Sequence, residues 1–378
     1  MRRLGLAAKR LRLITIACMA LVVLAVGACG GAGDDDTTDA GTPASTGSKK
    51  LVINSFGGSW GEAIQVGLID QFEQQTGIEV ELLSTADAAK SKLAVERGNE
   101  PPEDILDTDF ATVQAMSGDD LLAPVDYEAF DDATLAKIPE FAQQEYGLAW
   151  GEFAIGLCYD KTKFPGAKPE SWADFWNFSK FPGKRGMLEW PAEPQPEFGL
   201  LAAGATPDSL YPIDTDKAFA QLEALKPHVP QFAKDPAALQ QQLLDGTVIM
   251  EACYTHRVQK LIDSGAEQIA ISYNQARLNN EYFLVWNNAP NKENAMKFLA
   301  FIMEAKPQAT WARIGNTGPI NPDAYELLPE EIQAKLPTAP AYRDKTFPND
   351  DAYWATDAGD GKTNQETIID DWGDELGG

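Results

Sequence analysis

Histidine is almost absent from this 378-residue chain. His228 and His256 are the only two, far apart in sequence and without a partner at ligand spacing, which argues against a zinc-type centre. Two nucleotide-binding signatures are missing too: there is no P-loop and no dinucleotide glycine fingerprint. Positive charge is scarce, with 31 Lys and Arg against 57 Asp and Glu and a formal net charge of -26. A surface that acidic repels nucleic acid and anionic lipid and favours cationic partners, although most of the excess is solvated surface. Cysteine is nearly as rare as histidine. Of four, only Cys158 and Cys253 lie in the part of the chain able to fold. Outside a membrane a disulfide is open to them, and two buried free thiols fit equally well.

Long apolar runs are limited to one. Residues 1–28 have a basic start, then a stretch from Leu13 to Ala28 that is apolar apart from Thr15 and ends in Val26-Gly27-Ala28-Cys29. Small residues just before a cysteine resemble the bacterial lipoprotein signal, in which Cys29 becomes the lipid-modified first residue. The competing reading is a single transmembrane anchor. The five basic residues before Cys29 leave with the leader, taking the net charge to -31. Residues 29–50 then lack any aromatic or large aliphatic side chain and read as a flexible tether, with a reach on the order of 25 Å. About 330 residues remain, enough for two lobes at roughly 100–200 residues per domain.

The foldable part opens with a strand–turn–helix–strand unit at 51–80. Leu51-Val52-Ile53 is a short apolar strand broken by Gly57-Gly58 at a sharp turn. Ser59 and Glu62 have capping-box spacing, predicting Ser59 as N-cap. Ile64, Leu68 and Phe72 make one apolar helix face, Gly77 a left-handed cap, and 78–83 a second strand. Ligands of such sheets bind beyond the carboxyl ends of the strands, where Ser55, Phe56, Ser59 and Trp60 fall. Trp60 reads either as a cleft aromatic or as a staple holding the helix to its sheet.

The same βα rhythm continues. Asp104-Ile105-Leu106 is a strand ending at Asp107-Thr108-Asp109, with Asp107 able to cap the helix that follows. Residues 147–159 form a long strand pattern interrupted at Gly151, a crossing between lobes. Later strands are expected at Met187-Leu188, 247–252 and 269–271, with 282–286 a return crossing. Helices are expected at 171–176, 216–225, 235–244 and 291–303, and Trp354 and Trp372 anchor the acidic tail.

Carboxylates recur beside aromatics at strand ends: Asp107 and Asp109, Trp150 and Glu152, Glu189 with Trp190 and Glu193, Glu251 and Tyr254, Glu281 and Tyr282. An organic ammonium is held by charge-assisted carboxylate bonds and an aromatic face within about 6 Å. The competing readings are chance, in so acidic a chain, and a glycosidase acid–base pair of unknown separation.

Taken in order, several motifs resemble an extracytoplasmic solute-binding protein of an ABC importer, in the spermidine/putrescine-binding branch. They are Gly57-Gly58-Ser59-Trp60, Thr76-Gly77-Ile78-Glu79-Val80, Trp150-Gly151 before Ala154-Ile155-Gly156, and Ser171-Trp172-Ala173-Asp174-Phe175-Trp176. Phe181-Pro182-Gly183-Lys184-Arg185-Gly186, Tyr254-Thr255-His256-Arg257, Ala289-Pro290-Asn291-Lys292-Glu293 and Gly318-Pro319-Ile320-Asn321-Pro322 complete the set, spanning about 51–340. The resemblance implies an α/β, two-lobed periplasmic-binding-protein-like fold of type II, two doubly wound domains joined by crossing strands. Lobe 1 would comprise 49–154 plus 281–321, and lobe 2 155–280 plus 322–378. By position, Glu281 matches an acid that grips an amine, Glu189, Trp190 and Glu193 a second acidic cluster, and Tyr254 an aromatic against the carbon chain. Asp109 matches a polar contact in the first lobe. Trp60, Ser59 and Trp150 fall near the cleft.

The chain departs from that pattern at Thr255-His256, where the branch has Asn-Gly, and at Asn279, where it has a second aromatic. Arg257 is able to clamp a carboxylate, favouring a γ-amino acid over a diamine; the other reading has it facing solvent. The expectation is a monomeric binding component without enzymatic activity, metal or cofactor. It would be lipid-anchored through Cys29 at the outer face of the plasma membrane, or periplasmic, and deliver a polyamine or related small amine to permease subunits. A secreted carboxylate-pair hydrolase and an adhesion or chaperone-like lipoprotein are the alternatives from other classes.

Overall fold

The computed structural model describes residues 48–375, apart from 119, 190–194 and 360. Its strands are β1 (Lys50–Asn54), β2 (Glu79–Leu83), β3 (Ile105–Thr108), β4 (Leu148–Asp160), β5 (Arg185–Gly186), β6 (Met250–Tyr254), β7 (Ile269–Val285), β8 (Gly318–Pro319) and β9 (Phe347–Pro348). They share one sheet in the order β2-β1-β3-β7-β4-β6-β5, with β8 on β4 and β9 on β7.

β1 pairs in parallel with both β2 and β3, as βαβ connections require. The helical link from β1 to β2 runs as Ser59–Ile64, a π-helical turn Gln65–Ile69, and Asp70–Thr76. Ile64, Leu68 and Phe72 are all fully buried. Gly77 closes the helix in the left-handed region, φ 69°. The expected capping box does not form. Gly58, at φ 65°, is the N-cap, Ser59 is the first helical residue, and Glu62 instead salt-bridges Lys260 at 2.9 Å. Gly67 lies against another helix, Ala305–Gly315: a Cβ there would sit 3.1 Å from the Trp311 Cα.

Two long strands carry the chain between halves. Near Leu148–Gly151, β4 pairs with the last residues of β7, which also pair with β3. Near Ile155–Tyr159, β4 pairs with β6 and with the first residues of β7. Two expectations need correcting here. Residues 269–271 and 282–285 belong to one 17-residue strand, which passes a positive-φ residue, Gln275, where its pairing with β4 shifts register. Met187-Leu188 is not the strand; Arg185–Gly186 is. Arg185 is fully buried and donates to the carbonyls of Phe175, Phe181 and Gly183 at 2.6–2.9 Å, so the backbone tightens around its guanidinium.

Each half has its own apolar cluster. One gathers Leu51, Phe72, Leu106, Trp150, Phe283, Phe298 and Trp311. The other gathers Leu157, Trp172, Phe198, Phe219, Met250, Trp354 and Trp372.

Cys158 and Cys253 are joined as a disulfide between adjacent strands β4 and β6, Cα atoms 5.7 Å apart and 95 residues apart in sequence. Cross-linking residues so distant in sequence removes chain entropy from the unfolded state. Removing the bond in Cys158→Ala/Cys253→Ala is expected to lower stability by about 2–4 kcal/mol. Denaturant unfolding with and without reductant checks this; an unchanged midpoint in the double variant would refute it.

Candidate functional site

At the carboxyl ends of β1 and β3 the chain turns inward. Asp107, the third residue of β3, is completely buried. Its carboxylate accepts from Ser55 Oγ at 2.5 Å, Trp60 Nε1 at 2.8 Å and Trp150 Nε1 at 3.1 Å. Its side chain is also hydrogen-bonded to Glu281. Burial pushes Asp107 up to about 7, against the opposing pull of those four hydrogen bonds. Two carboxyl groups in such contact do not both ionise, so the pair holds one proton. Asp107 is therefore no helix cap. Asp109 does that work, accepting from Thr112 N at 2.7 Å at the start of the Phe110–Met116 helix.

Above this floor lies a cavity of about 420 Å³ between the two halves. From the first half it is lined by Phe56, Trp60, Asp109 and Phe110, from the second by Tyr254, His256 and Arg257. The crossing strands add Phe153, Arg277, Asn279 and Glu281. The size is at the low end of ordinary ligand pockets, roughly 300–1,000 Å³, which suits a small solute. Aromatic faces dominate one wall. Trp60 is edge-on to Phe153 at 6.0 Å, and Phe153 stacks on Tyr254 at 5.7 Å.

Polar residues on the other wall follow strand alternation. Arg277, Asn279 and Glu281 stand at i, i+2 and i+4 of β7 and therefore share a face. Arg277 is bound to buried Glu197 at 2.7 Å, and Tyr211 donates to the same carboxylate at 3.0 Å. Arg257 differs. It follows β6 in the first turn of the Thr255–Asp263 helix, and among the described residues no carboxylate lies within ion-pair distance. Burial lowers its pKa, while Tyr254, Asp235 and Glu281 act the other way. Burial, then Arg257, depresses His256 well below the usual imidazole range, so this ring is neutral.

The cavity thus collects five of the sequence-selected residues: Glu281, Tyr254, Trp60, Asp109 and Arg257. Trp150 is buried behind it, stacked on Phe283 at 4.5 Å with its N–H on Asp107, so it backs the wall without lining it. Ser59 is half-buried and outside the lining; its neighbour Ser55 makes the contact to Asp107. Glu189 is exposed and also outside the lining. Trp190, Glu193 and Cys29 lie outside the described residues. Sequence reasoning missed Phe153, Arg277 and the floor role of Asp107. The signal for Arg277 was available, a polar residue every second position leading to Glu281.

Residues 67–341 match the family of bacterial extracellular solute-binding proteins. The chain belongs to that family. This solute-binding protein is 32% identical to the gamma-aminobutyric acid-binding protein of Pseudomonas aeruginosa over 81% of its own length and 87% of that protein's. Among solved structures, an ABC transporter substrate-binding protein from Bradyrhizobium japonicum superposes with a TM-score of 0.80 at 31% identity, covering 86% of this chain and 99% of that one. A GABA receptor structure gives 0.76 at 27% identity, covering 85% and 96%. The fold is accordingly the two-lobed, type II periplasmic-binding-protein fold, and the protein is the non-enzymatic, extracytoplasmic binding component of an ABC transporter. Among the described residues no helix is long and apolar enough to cross a membrane.

Proposed function

We propose that this solute-binding protein captures a small zwitterion of the γ-amino acid class and hands it to its permease. One observation carries the reading: an acid, Glu281, and an arginine without a carboxylate partner among the described residues, Arg257, line the same small cavity, with aromatic faces between the halves. Glu281 would take the ammonium, Arg257 would clamp the carboxylate through two parallel N–H bonds, and Trp60, Phe153 and Tyr254 would pack the carbon chain. The similarity to a gamma-aminobutyric acid-binding protein supports the same class. A polyamine, the first expectation from sequence, brings no anion to Arg257 and would set a second ammonium beside it. Asn279 further replaces an aromatic that a bare methylene chain would use.

Ligand and closure are coupled because the cavity walls come from both halves, so the closed state binds better and is selected. The lobe boundaries would fall within β4 and β7. Calorimetry against γ-aminobutyrate, putrescine, spermidine, choline and glucose tests the reading. Tightest binding of γ-aminobutyrate is expected, and preference for a diamine would reject it. We further propose a monomer anchored by lipid on Cys29. Palmitate labelling should be lost in Cys29→Ser, and label persisting in that variant would exclude the anchor.

A further inference from the structure

Among the side chains that line this cavity, Asn279 and His256 have buried polar atoms without a hydrogen-bond partner among the described residues. Asn279 is 7% exposed and its Nδ2 has no hydrogen-bond partner. His256 is 5% exposed, and neither Nδ1 nor Nε2 has one. Both residues line the cavity. They are neighbours across an aromatic ring. Asn279 pairs directly with Phe153 in the β7–β4 ladder, so the two project from the same face, and Phe153 lies 5.7 Å from the His256 ring.

Their position relative to the charged groups is informative. Asn279 is one alternation step along β7 from Glu281, and His256 immediately precedes Arg257. These atoms thus belong to residues beside both poles, Asn279 near the acid and His256 next to the arginine, and the chain of a γ-amino acid that joins those poles carries only CH₂ groups. Buried donors and acceptors left unmade are unfavourable, and native interiors satisfy nearly all of theirs. A methylene chain would seal these atoms away from water without replacing the lost bonds.

We infer that the preferred ligand carries a hydroxyl on the chain between its ammonium and carboxylate, accepting from Asn279 Nδ2 and donating to a ring nitrogen of His256. The imidazole suits this because burial keeps it uncharged, with one nitrogen a donor and the other an acceptor. A site built to hydrogen-bond a ligand hydroxyl discriminates strongly against the analogue lacking it, because the protein's own groups are then stranded. The same groups explain why this position is not a second aromatic.

This inference rests on the zwitterion reading and sharpens it. The test is calorimetry of the full mature protein with γ-aminobutyrate and its 2-hydroxy and 3-hydroxy derivatives, both enantiomers of each. At least one hydroxylated compound should bind roughly tenfold or more tighter than the parent. In Asn279→Leu, which removes the donor at similar volume, that preference should shrink to about twofold or less. Equal or weaker binding of every hydroxylated compound by the unmodified protein overturns the inference and leaves the zwitterion reading intact. Failure of all five compounds to bind overturns both. Because the decisive ratio is measured on the unmodified protein, poor folding of the variant does not blur the result.

Discussion

Replacing Glu281 with Gln is expected to weaken γ-aminobutyrate binding a hundredfold to a thousandfold, about 3–4 kcal/mol, by leaving a desolvated ammonium without its counter-charge. The fold should survive, because Gln keeps the shape and still donates to Asp107, which retains Ser55, Trp60 and Trp150 as donors. The variant also has a pH signature. In the free protein the Asp107–Glu281 pair holds a proton, with Asp107 raised to about 7 by burial. An arriving ammonium favours the fully ionised pair, so binding releases that proton, and the release becomes harder as pH falls below 7. Wild-type affinity should therefore drop between pH 7 and pH 5, by at most about tenfold per unit, and level off above 7. In Glu281→Gln the amide takes no ammonium, so the proton that burial holds on Asp107 is no longer released on binding and the slope should flatten. Calorimetry in buffers of differing ionisation enthalpy reads the proton count directly. Unchanged affinity would remove Glu281 from the ligand, and an unchanged slope would assign the proton elsewhere.

Arg257→Ala should cost γ-aminobutyrate a further two orders of magnitude or so, since a bidentate guanidinium–carboxylate contact in a dry cleft is among the stronger polar contacts available. Stability should move the other way or not at all. The Arg257 side chain is partly buried, its Nε makes no hydrogen bond, and no described carboxylate lies within ion-pair distance, so its desolvation cost is offset only in part by the more distant Tyr254, Asp235 and Glu281. Loss of affinity with an unchanged or higher melting temperature would mark a residue held for its ligand. The same substitution should improve putrescine binding by removing a like charge. If affinity holds while the melting temperature falls, Arg257 is a structural residue and the proposed ligand class is wrong.

The parts of this architecture written in local pattern were readable from sequence. The strand at Leu51, the helix through Ile64, Leu68 and Phe72, and the left-handed stop at Gly77 each depend on spacing within one turn or one strand. What could not be read depends on partners distant in the chain. Ser59 fits a capping box, yet Gly58 takes the N-cap and Glu62 reaches Lys260 on the facing helix. Asp107 resembles a cap because strand-end aspartates commonly are; its four partners come from positions 55, 60, 150 and 281. β7 reads as two strands because Ser272 to Asn280 is polar, and polar runs ordinarily signal loops. Here the end of that run, at Arg277, Asn279 and Asn280, lines the cavity from one strand. His256 is as silent in sequence, since nothing in its own neighbourhood shows that it faces a cavity.

β4 and β7 each run through both halves as a single strand, paired with one another on either side of two register shifts. A chain cut between the lobes would leave each fragment with severed ladders, their N–H and C=O groups facing no partner. Separately expressed halves should accordingly stick to themselves rather than behave as two small domains. The better place to open the backbone, for a permuted or split reporter, is a surface turn away from both ribbons, such as that at Gly265, an interruption that leaves the bend between the lobes able to answer the ligand.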